Sequence, residues 1–96
     1  MKVGFHPAAD VELRAAAAYY ESRVAGLGEE LIAELERLRS LIGKYPALGR
    51  RYDTVHRRVF LRRFPFALIY RVGASQVTIV AIAHTKRRPG YWRWRG

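Results

Sequence analysis

The pattern of apolar and polar positions divides the chain into a helical first half and a second half of short strands. Residues 2–6 alternate like a short strand, and Pro7 then fits the first turn of a helix, where its missing N–H is not needed. Residues 8 to about 24 are strong helix formers. The three-and-four spacing of one helical stripe is occupied by Leu13, Ala16, Ala17, Tyr20 and Val24. We predict a strand that runs directly into a first helix.

A second helix is predicted after a turn made by two glycines. Gly26 and Gly28 end the first helix and turn the chain. Glycine and proline in residues 43–49 end the second helix, and a polar connector continues to about Val55. The apolar stripe of the second helix is Leu31, Leu35, Leu38 and Ile42. The pattern predicts a helical hairpin, with a solvated face that carries Glu29, Glu30, Glu34 and Glu36.

Three β-type segments follow in quick succession, over His56–Arg63, Phe66–Val72 and Val77–His84. The links between them are short, which favours antiparallel hairpins. The order of strand, two helices and three strands predicts an α+β fold. We expect one domain over residues 1–96, with the helical hairpin packed on one face of a mainly antiparallel four-stranded sheet.

Composition excludes several classes of site. The chain has no cysteine, so disulfides and cysteine-bearing zinc sites are ruled out, and its three scattered histidines do not form a metal cluster. We therefore predict no metal and no cofactor. No apolar run approaches the roughly 20 residues of a membrane-spanning helix, and the opening residues lack the apolar stretch of a signal peptide. These features predict a cytoplasmic protein without a membrane partner.

Charge separates the two halves of the chain. Residues 1–48 carry 6 Lys/Arg and 7 Asp/Glu, whereas residues 49–96 carry 12 and 1. A charge excess of this size in one half produces a positive field that attracts polyanions or acidic protein surfaces. The charge pattern predicts an acidic partner.

Four arginines flank the apolar centre of the first strand predicted in the second half. Alternation sends Arg58 and Arg62 to one face of that strand, and Arg57 and Arg63 to the other. Basic residues often protect an edge strand, which is one interpretation. The other is an anion-facing patch, because this half of the chain holds almost no acid to pair with them.

The tail, residues 85–96, interleaves cations with large aromatic side chains. Such a composition suits stacking on bases or anchoring in a protein pocket. In the alternative interpretation Tyr91 and Trp92 fold back over the core, directed by a turn at Pro89-Gly90. Trp94 is expected to be exposed.

Several short strings resemble the toxins of the RelE/ParE superfamily in their order and spacing, and resemble most the ParE-related branch known as plasmid-stabilisation proteins. They are His6-Pro7-Ala8-Ala9 with Tyr19-Tyr20-Glu21, Gly26-Leu27-Gly28, Arg57-Arg58-Val59, Phe64-Pro65-Phe66 with Ile69-Tyr70, and Ala83-His84 with Arg87-Arg88-Pro89-Gly90-Tyr91-Trp92. The resemblance implies a RelE/ParE-like fold and a type II toxin–antitoxin role. It also implies a small cognate antitoxin, for which we expect an acidic amphipathic segment.

The resemblance implies two possible targets. Toxins of the ParE branch with known targets bind DNA gyrase, and this would place target contacts at Arg58, Arg62, Arg87, Arg88, Tyr91 and Trp92. Toxins of the RelE branch cut messenger RNA on the ribosome. For this reaction the resemblance implies that His84 acts as the base, Arg62 as the cation that stabilises the transition state and Tyr91 as the acid.

The sequence favours binding over cleavage. The only acidic residue after Glu36 is Asp53, so a carboxylate-assisted nuclease lacks its carboxylate, although a version that uses Lys86, Arg87 and Arg88 stays open. A histidine at a strand end such as His84 is more often a structural hydrogen-bonding group. Charge alone is also compatible with a plain nucleic-acid-binding module.

Overall fold

The two halves fold into two helices and a single sheet in the computed structural model, which describes residues 1–96. In chain order the elements are β1 Lys2–Phe5, α1 Pro7–Arg23, α2 Leu27–Lys44, β2 Arg50–Arg51, β3 His56–Phe60, β4 Phe66–Val72, β5 Gln76–His84 and a short 3-10 turn at Arg93–Arg95. The predicted α+β order is confirmed, with one additional strand, β2.

The helical hairpin forms where the sequence predicts it. The ring of His6 caps α1 by accepting the N–H of Ala8 at 3.0 Å. At the turn, Gly26 adopts a φ of 87°, which favours glycine, and the Glu21 carboxylate accepts the N–H groups of Gly26 and Gly28. A Cβ on Gly28 would stand 2.4 Å from the carbonyl oxygen of Ala17. The glycine therefore allows the two helices to pack in close contact.

The strands form one five-stranded sheet in the order β1-β5-β4-β3-β2. The pairings of β3 with β4 and of β4 with β5 are antiparallel, as predicted. The additional strand β2 also pairs antiparallel with β3, whereas β1 pairs with β5 in parallel. No tight turn joins β1 to β5, so nothing forces that pair to be antiparallel. The strand β2 lies in the segment predicted to be a connector, where two arginines give no alternation of polar and apolar residues.

The predicted strand His56–Arg63 is too long, because β3 ends at Phe60. The backbone N–H groups of Arg62 and Arg63 donate to the Glu34 carboxylate, at 2.6 and 3.4 Å, instead of to a neighbouring strand. Glu34 is buried, so its prediction as a solvated residue was wrong. The predicted shared face of Arg58 and Arg62 is also wrong, since strand alternation does not extend past Phe60.

The sheet has one face against the helices and one against the tail, and we call these the helix face and the tail face. The helix-face core holds Val3, Ala9, Leu13, Leu31, Leu35, Leu38, Ile42, Leu61, Phe64, Phe66, Leu68, Tyr70, Val77, Ile79 and Ile82. All four positions of the predicted α2 stripe belong to it, whereas Val24 of the predicted α1 stripe is exposed because α1 ends before it. Most of the buried hydrophobic residues therefore lie between the helices and the sheet.

Candidate functional site

The tail folds back over the tail face of the sheet and buries Trp92, which is only 2% exposed. The indole ring meets the rings of Tyr52 and His56 edge-on, with centroids 5.3 and 4.6 Å apart. With Trp92, this second apolar cluster consists of Ala67, Ile69, Val80, Ala81 and Ala83. The structure therefore shows the folded-back arrangement of Trp92. In this conformation the Trp92 side chain is too buried to contact a target. Trp94 is 73% exposed, as predicted.

Glu12 of α1 ties the tail to the open edge of β5. Since β1 ends opposite Ile79, the edge of β5 beyond that residue lacks a strand partner, and the N–H of Ile82 donates to Glu12 at 3.0 Å. The same carboxylate accepts a hydrogen bond from the Tyr91 hydroxyl at 2.6 Å and one from each terminal nitrogen of Arg95, at 2.9 and 3.0 Å. The Glu12 side chain of α1 thus joins the edge of β5 to two residues of the tail through hydrogen bonds.

This network is largely shielded from water. The side chains of Arg95 and Glu12 are 8% and 18% exposed. Burial raises the pKa of Tyr91, and its hydrogen bond to the Glu12 carboxylate raises it further. The pKa of Arg95 is raised by its hydrogen bond to Glu12. The phenol of Tyr91 therefore stays protonated as a donor. No local pattern indicates Glu12, because its partners lie about 70 to 83 residues away along the chain.

Asp53 forms a second anchor for the tail. Its carboxylate accepts the N–H groups of Val55 and His56 at 2.8 and 2.7 Å and faces the ring Nδ1 of His56 at 3.0 Å. Arg93 of the tail lies 3.7 Å away. Burial acts to raise the pKa of Asp53, but the hydrogen bonds from His56 and Val55 outweigh it and lower the pKa to about 2. The one carboxylate of the basic half is therefore fully engaged in structure.

Between β3 and the tail lies a depression of about 150 Å³, which we call the tail groove. Its lining includes Arg58, Phe60, Ala67, Ile69, Ala83, His84, Arg87, Arg88 and Tyr91. The Arg58 guanidinium lies over the rings of Tyr52 and Phe60, 5.2 and 4.7 Å from their centroids, and that of Arg87 lies 3.9 Å from the centre of Tyr91. The structure thus brings five of the six predicted contact residues to one groove: Arg58, Arg87, Arg88, Tyr91 and the buried Trp92.

Arg62 lies outside this groove, on the side of α2. It lines a separate depression with Glu30, Glu34, Arg37 and Arg63. Arg63 forms an ion pair with Glu30, and Arg57 donates to the carbonyl oxygen of Gly49 at 2.8 Å. Two of the four arginines of the predicted strand therefore find partners within the protein, which corrects the expectation that all four need an external anion.

The residues predicted for RNA cleavage are not assembled at one place. His84 and Tyr91 line the tail groove, but Arg62 does not. The Nδ1 of His84 accepts the N–H of Lys86 at 3.0 Å, and the ring packs edge-on against Phe66. His84 and Tyr91 are both engaged within the protein, because the Tyr91 hydroxyl donates to Glu12. The Glu12 carboxylate lines an adjacent depression with His84, Arg87 and Tyr91 but does not hydrogen-bond to His84.

No cluster of three or more His, Cys, Asp or Glu side chains in the structure could hold a metal ion. None of the helices combines the length and apolar character needed to cross a membrane.

Comparison with known proteins places the chain in a family. One solved structure with a similar fold, the chromosomal ParDE TA system from P. aeruginosa, superposes with a TM-score of 0.75 and 18% sequence identity over 88% of this chain and 95% of that chain. This likeness shows a common fold. No curated protein matches the sequence. Residues 3–89 match the family described as the ParE toxin of the type II toxin–antitoxin system parDE. The chain therefore belongs to the ParE family of type II toxins.

Proposed function

We propose that this toxin arrests growth in the cytoplasm by binding DNA gyrase, and that a cognate antitoxin neutralises it. Family membership and the resemblance to the ParE branch support this target. The observation that carries the proposal is the composition of the tail groove, which gathers arginines beside a histidine and a phenol that are both already hydrogen-bonded within the protein. Such a surface suits recognition rather than chemistry.

The proposed contact residues are Arg58, Arg87, Arg88 and Tyr91. None of the three arginines forms an ion pair within the protein, and Tyr91 is half-buried beside Arg87. Trp92 and Arg62, which the sequence also suggested, are not in this set, because one is buried and the other lies beside α2. Long-range attraction between this face and an acidic surface would speed association.

Supercoiling by purified gyrase tests the proposal. The full-length toxin should inhibit supercoiling, and the double substitution Arg58→Ala/Arg87→Ala should raise the inhibitory concentration at least about tenfold, since contacts at the centre of an interface carry most of its energy. The exposed Arg23 of α1 supplies a matched control, because it does not line the groove and Arg23→Ala should leave inhibition unchanged. Normal supercoiling at saturating toxin would eliminate the proposal.

One observation favours a second function. His84, Tyr91, Arg58 and Arg87 all line the tail groove, so a base, a phenol and cations lie on one surface. A RelE-like ribonuclease would cut messenger RNA in the ribosomal A site, and His84→Ala would abolish the cuts. Mapping transcript ends after induction separates the two functions: A-site cuts with unaffected gyrase favour the ribonuclease, and intact transcripts during growth arrest exclude it.

The proposed antitoxin is a small protein with an acidic amphipathic segment that covers the arginine-rich surface around the tail groove. Its association rate should fall steeply as ionic strength rises, because charges on this face are screened beyond about 10 Å at 0.1 M salt. Stopped-flow mixing with the neighbouring acidic gene product measures that rate. A rate independent of salt would contradict this account of recognition.

A further inference from the structure

The edge of the sheet at β2 and β3 carries a concentration of positive charge that destabilises the pairing of these two strands. In the antiparallel ladder, Arg50 lies directly opposite Arg58, and Arg51 directly opposite Arg57. Like charges at directly opposed positions destabilise a strand pair. Of these four arginines, only Arg57 donates side-chain hydrogen bonds to the protein. No carboxylate pairs with Arg50, Arg51 or Arg58. An external anion would relieve this repulsion.

Part of that charge belongs to the tail groove. Residues directly opposite each other in a ladder share a face, so Arg50 lies on the same face as Arg58, and Arg58 in turn lies opposite Ile69 of the groove floor. Arg87 and Arg88 stand on the other wall of the groove. Three guanidinium groups without carboxylate partners therefore line one depression, and Arg50 lies next to Arg58 at its β2 side.

The dimensions of the groove limit what can enter it. Phe60 lies opposite Ala67, and Ala67 opposite Ala83, so the walls are two strand spacings, or about 10 Å, apart. Two alanines on the floor leave the space between the walls open. A volume of about 150 Å³ is small for a site that encloses a whole cofactor. It suits one base or phosphate group of a longer, flexible polymer.

Phe60 adds a flat apolar surface at the same place. Its side chain is 55% exposed, although it lies in the middle of a basic region, and the Arg58 guanidinium stands 4.7 Å from its ring centre. Proteins that bind single strands combine a basic groove with aromatic rings on which bases stack. An acidic peptide would use the arginines but would gain nothing specific from Phe60.

We infer that the tail groove binds single-stranded nucleic acid, with a base stacked on Phe60 and the phosphates held by Arg50, Arg58, Arg87 and Arg88. Arginine suits this role because its planar fork pairs with phosphate through two hydrogen bonds. The inference does not depend on gyrase being the target of the toxin. The rigid duplex, which cannot turn a base towards Phe60, should bind more weakly than a single strand.

Fluorescence anisotropy with a labelled oligothymidylate of about 12 nucleotides, a length within the range bound by single-strand grooves, tests the inference on the full-length toxin. Phe60→Ala should weaken binding about tenfold, as expected for loss of one stacked base, and Phe60→Trp should restore it. Arg58→Ala and Arg87→Ala should each reduce the slope of log K against log salt by about 0.7. Arg23→Ala should change neither the affinity nor the slope.

Two results would overturn the inference. One is an affinity that Phe60→Ala leaves unchanged in variants whose circular dichroism and Tm match the parent. The other is displacement of the oligonucleotide by an oligoglutamate peptide as effectively as by unlabelled oligothymidylate, which would assign the groove to an acidic protein. Inhibition of supercoiling is measured in a separate assay, so failure of this inference can be distinguished from failure of the gyrase proposal.

Discussion

The helix face and the tail face belong to the same strands but are stabilised in different ways. On the helix face, fifteen buried hydrophobic residues form one cluster. On the tail face, only six do so, and the ion pairs of Glu12 and Asp53 fasten the tail around them. Apolar burial thus dominates one face and polar anchoring the other. The contrast shows how a small protein keeps a charged surface without placing that charge in its main core.

The arginines divide along the same line. Arg95 and Arg93 fasten the tail, and Arg63 pairs with α2, so each has a carboxylate partner. The arginines of the tail groove, Arg58 and Arg87, rest on aromatic rings and have none. Residue type alone therefore does not mark a binding cation. The arginines of the proposed contact surface differ from the others in lacking an internal acidic partner.

The largest effect is expected from the helix face. Leu35 is fully buried, and Leu35→Ala should lower the free energy of unfolding by about 4 kcal/mol through lost burial and an unfilled cavity. Urea denaturation followed by circular dichroism measures this loss. Because Leu35 belongs to the cluster that joins both helices to the sheet, both faces should unfold together. A loss below 1 kcal/mol, on the scale of a conservative surface change, would show that the helix face is not the main source of stability.

Removal of Glu12 should produce the next largest effect, confined to the tail face. Glu12→Ala leaves Arg95 without its partner and should cost about 2 to 3 kcal/mol, because an unpaired, largely buried charge is unfavourable. Hydrogen exchange should speed up in residues 85–96 and at Ile82 before it changes in α2. Equal acceleration in both regions would contradict the separation of the two faces.

A smaller, pH-dependent effect is expected at Asp53. Its pKa in the folded protein, about 2, lies below its ordinary value of 3.8, so the carboxylate stabilises the fold above pH 3.8 and this stabilisation is lost as pH falls towards 2. At pH 7, Asp53→Asn should cost about 1 kcal/mol after allowance for solvent screening. Thermal unfolding of both proteins between pH 7 and pH 2 should show that difference vanish. A difference constant with pH would refute the ionic role.

The smallest effect on stability is expected in the tail groove. Arg58→Ala should change the free energy of unfolding by less than about 0.5 kcal/mol, as for most surface substitutions, because only contacts with the rings of Tyr52 and Phe60 are lost. Chemical denaturation alongside the supercoiling assay checks this value. A larger loss would mean that Arg58 supports the fold, and would weaken its assignment as a contact residue.

Local pattern was sufficient to predict much of the fold. The leucine stripe of α2 and the strands β4 and β5 follow from apolar spacing, and the glycine turn follows from backbone freedom at Gly26. The extent of β3 was wrong because Glu34, far away in the chain, accepts the backbone N–H groups that would have continued it. Interactions across long sequence separations leave no periodic signal.

The candidate site was predictable only in part, for the same reason. Charge clustering indicated Arg58, Arg87 and Arg88, which the fold brings to one groove. It equally indicated Arg62, which a turn carries to the other side of the sheet. The anchoring role of Glu12 depends on the edge of β5 left open by β1, and that edge exists only in the assembled sheet.

The parallel pairing of β1 with β5 affects the order of events during synthesis. Ribosomes add roughly 5–20 residues per second, and β1 has no strand partner until residues 76–79 have emerged. The walls of the tail groove come from β3 and from residues 85–88, so the groove is absent from the growing chain until those later residues are made. The nascent chain therefore lacks this basic groove until the last residues of the sequence are in place.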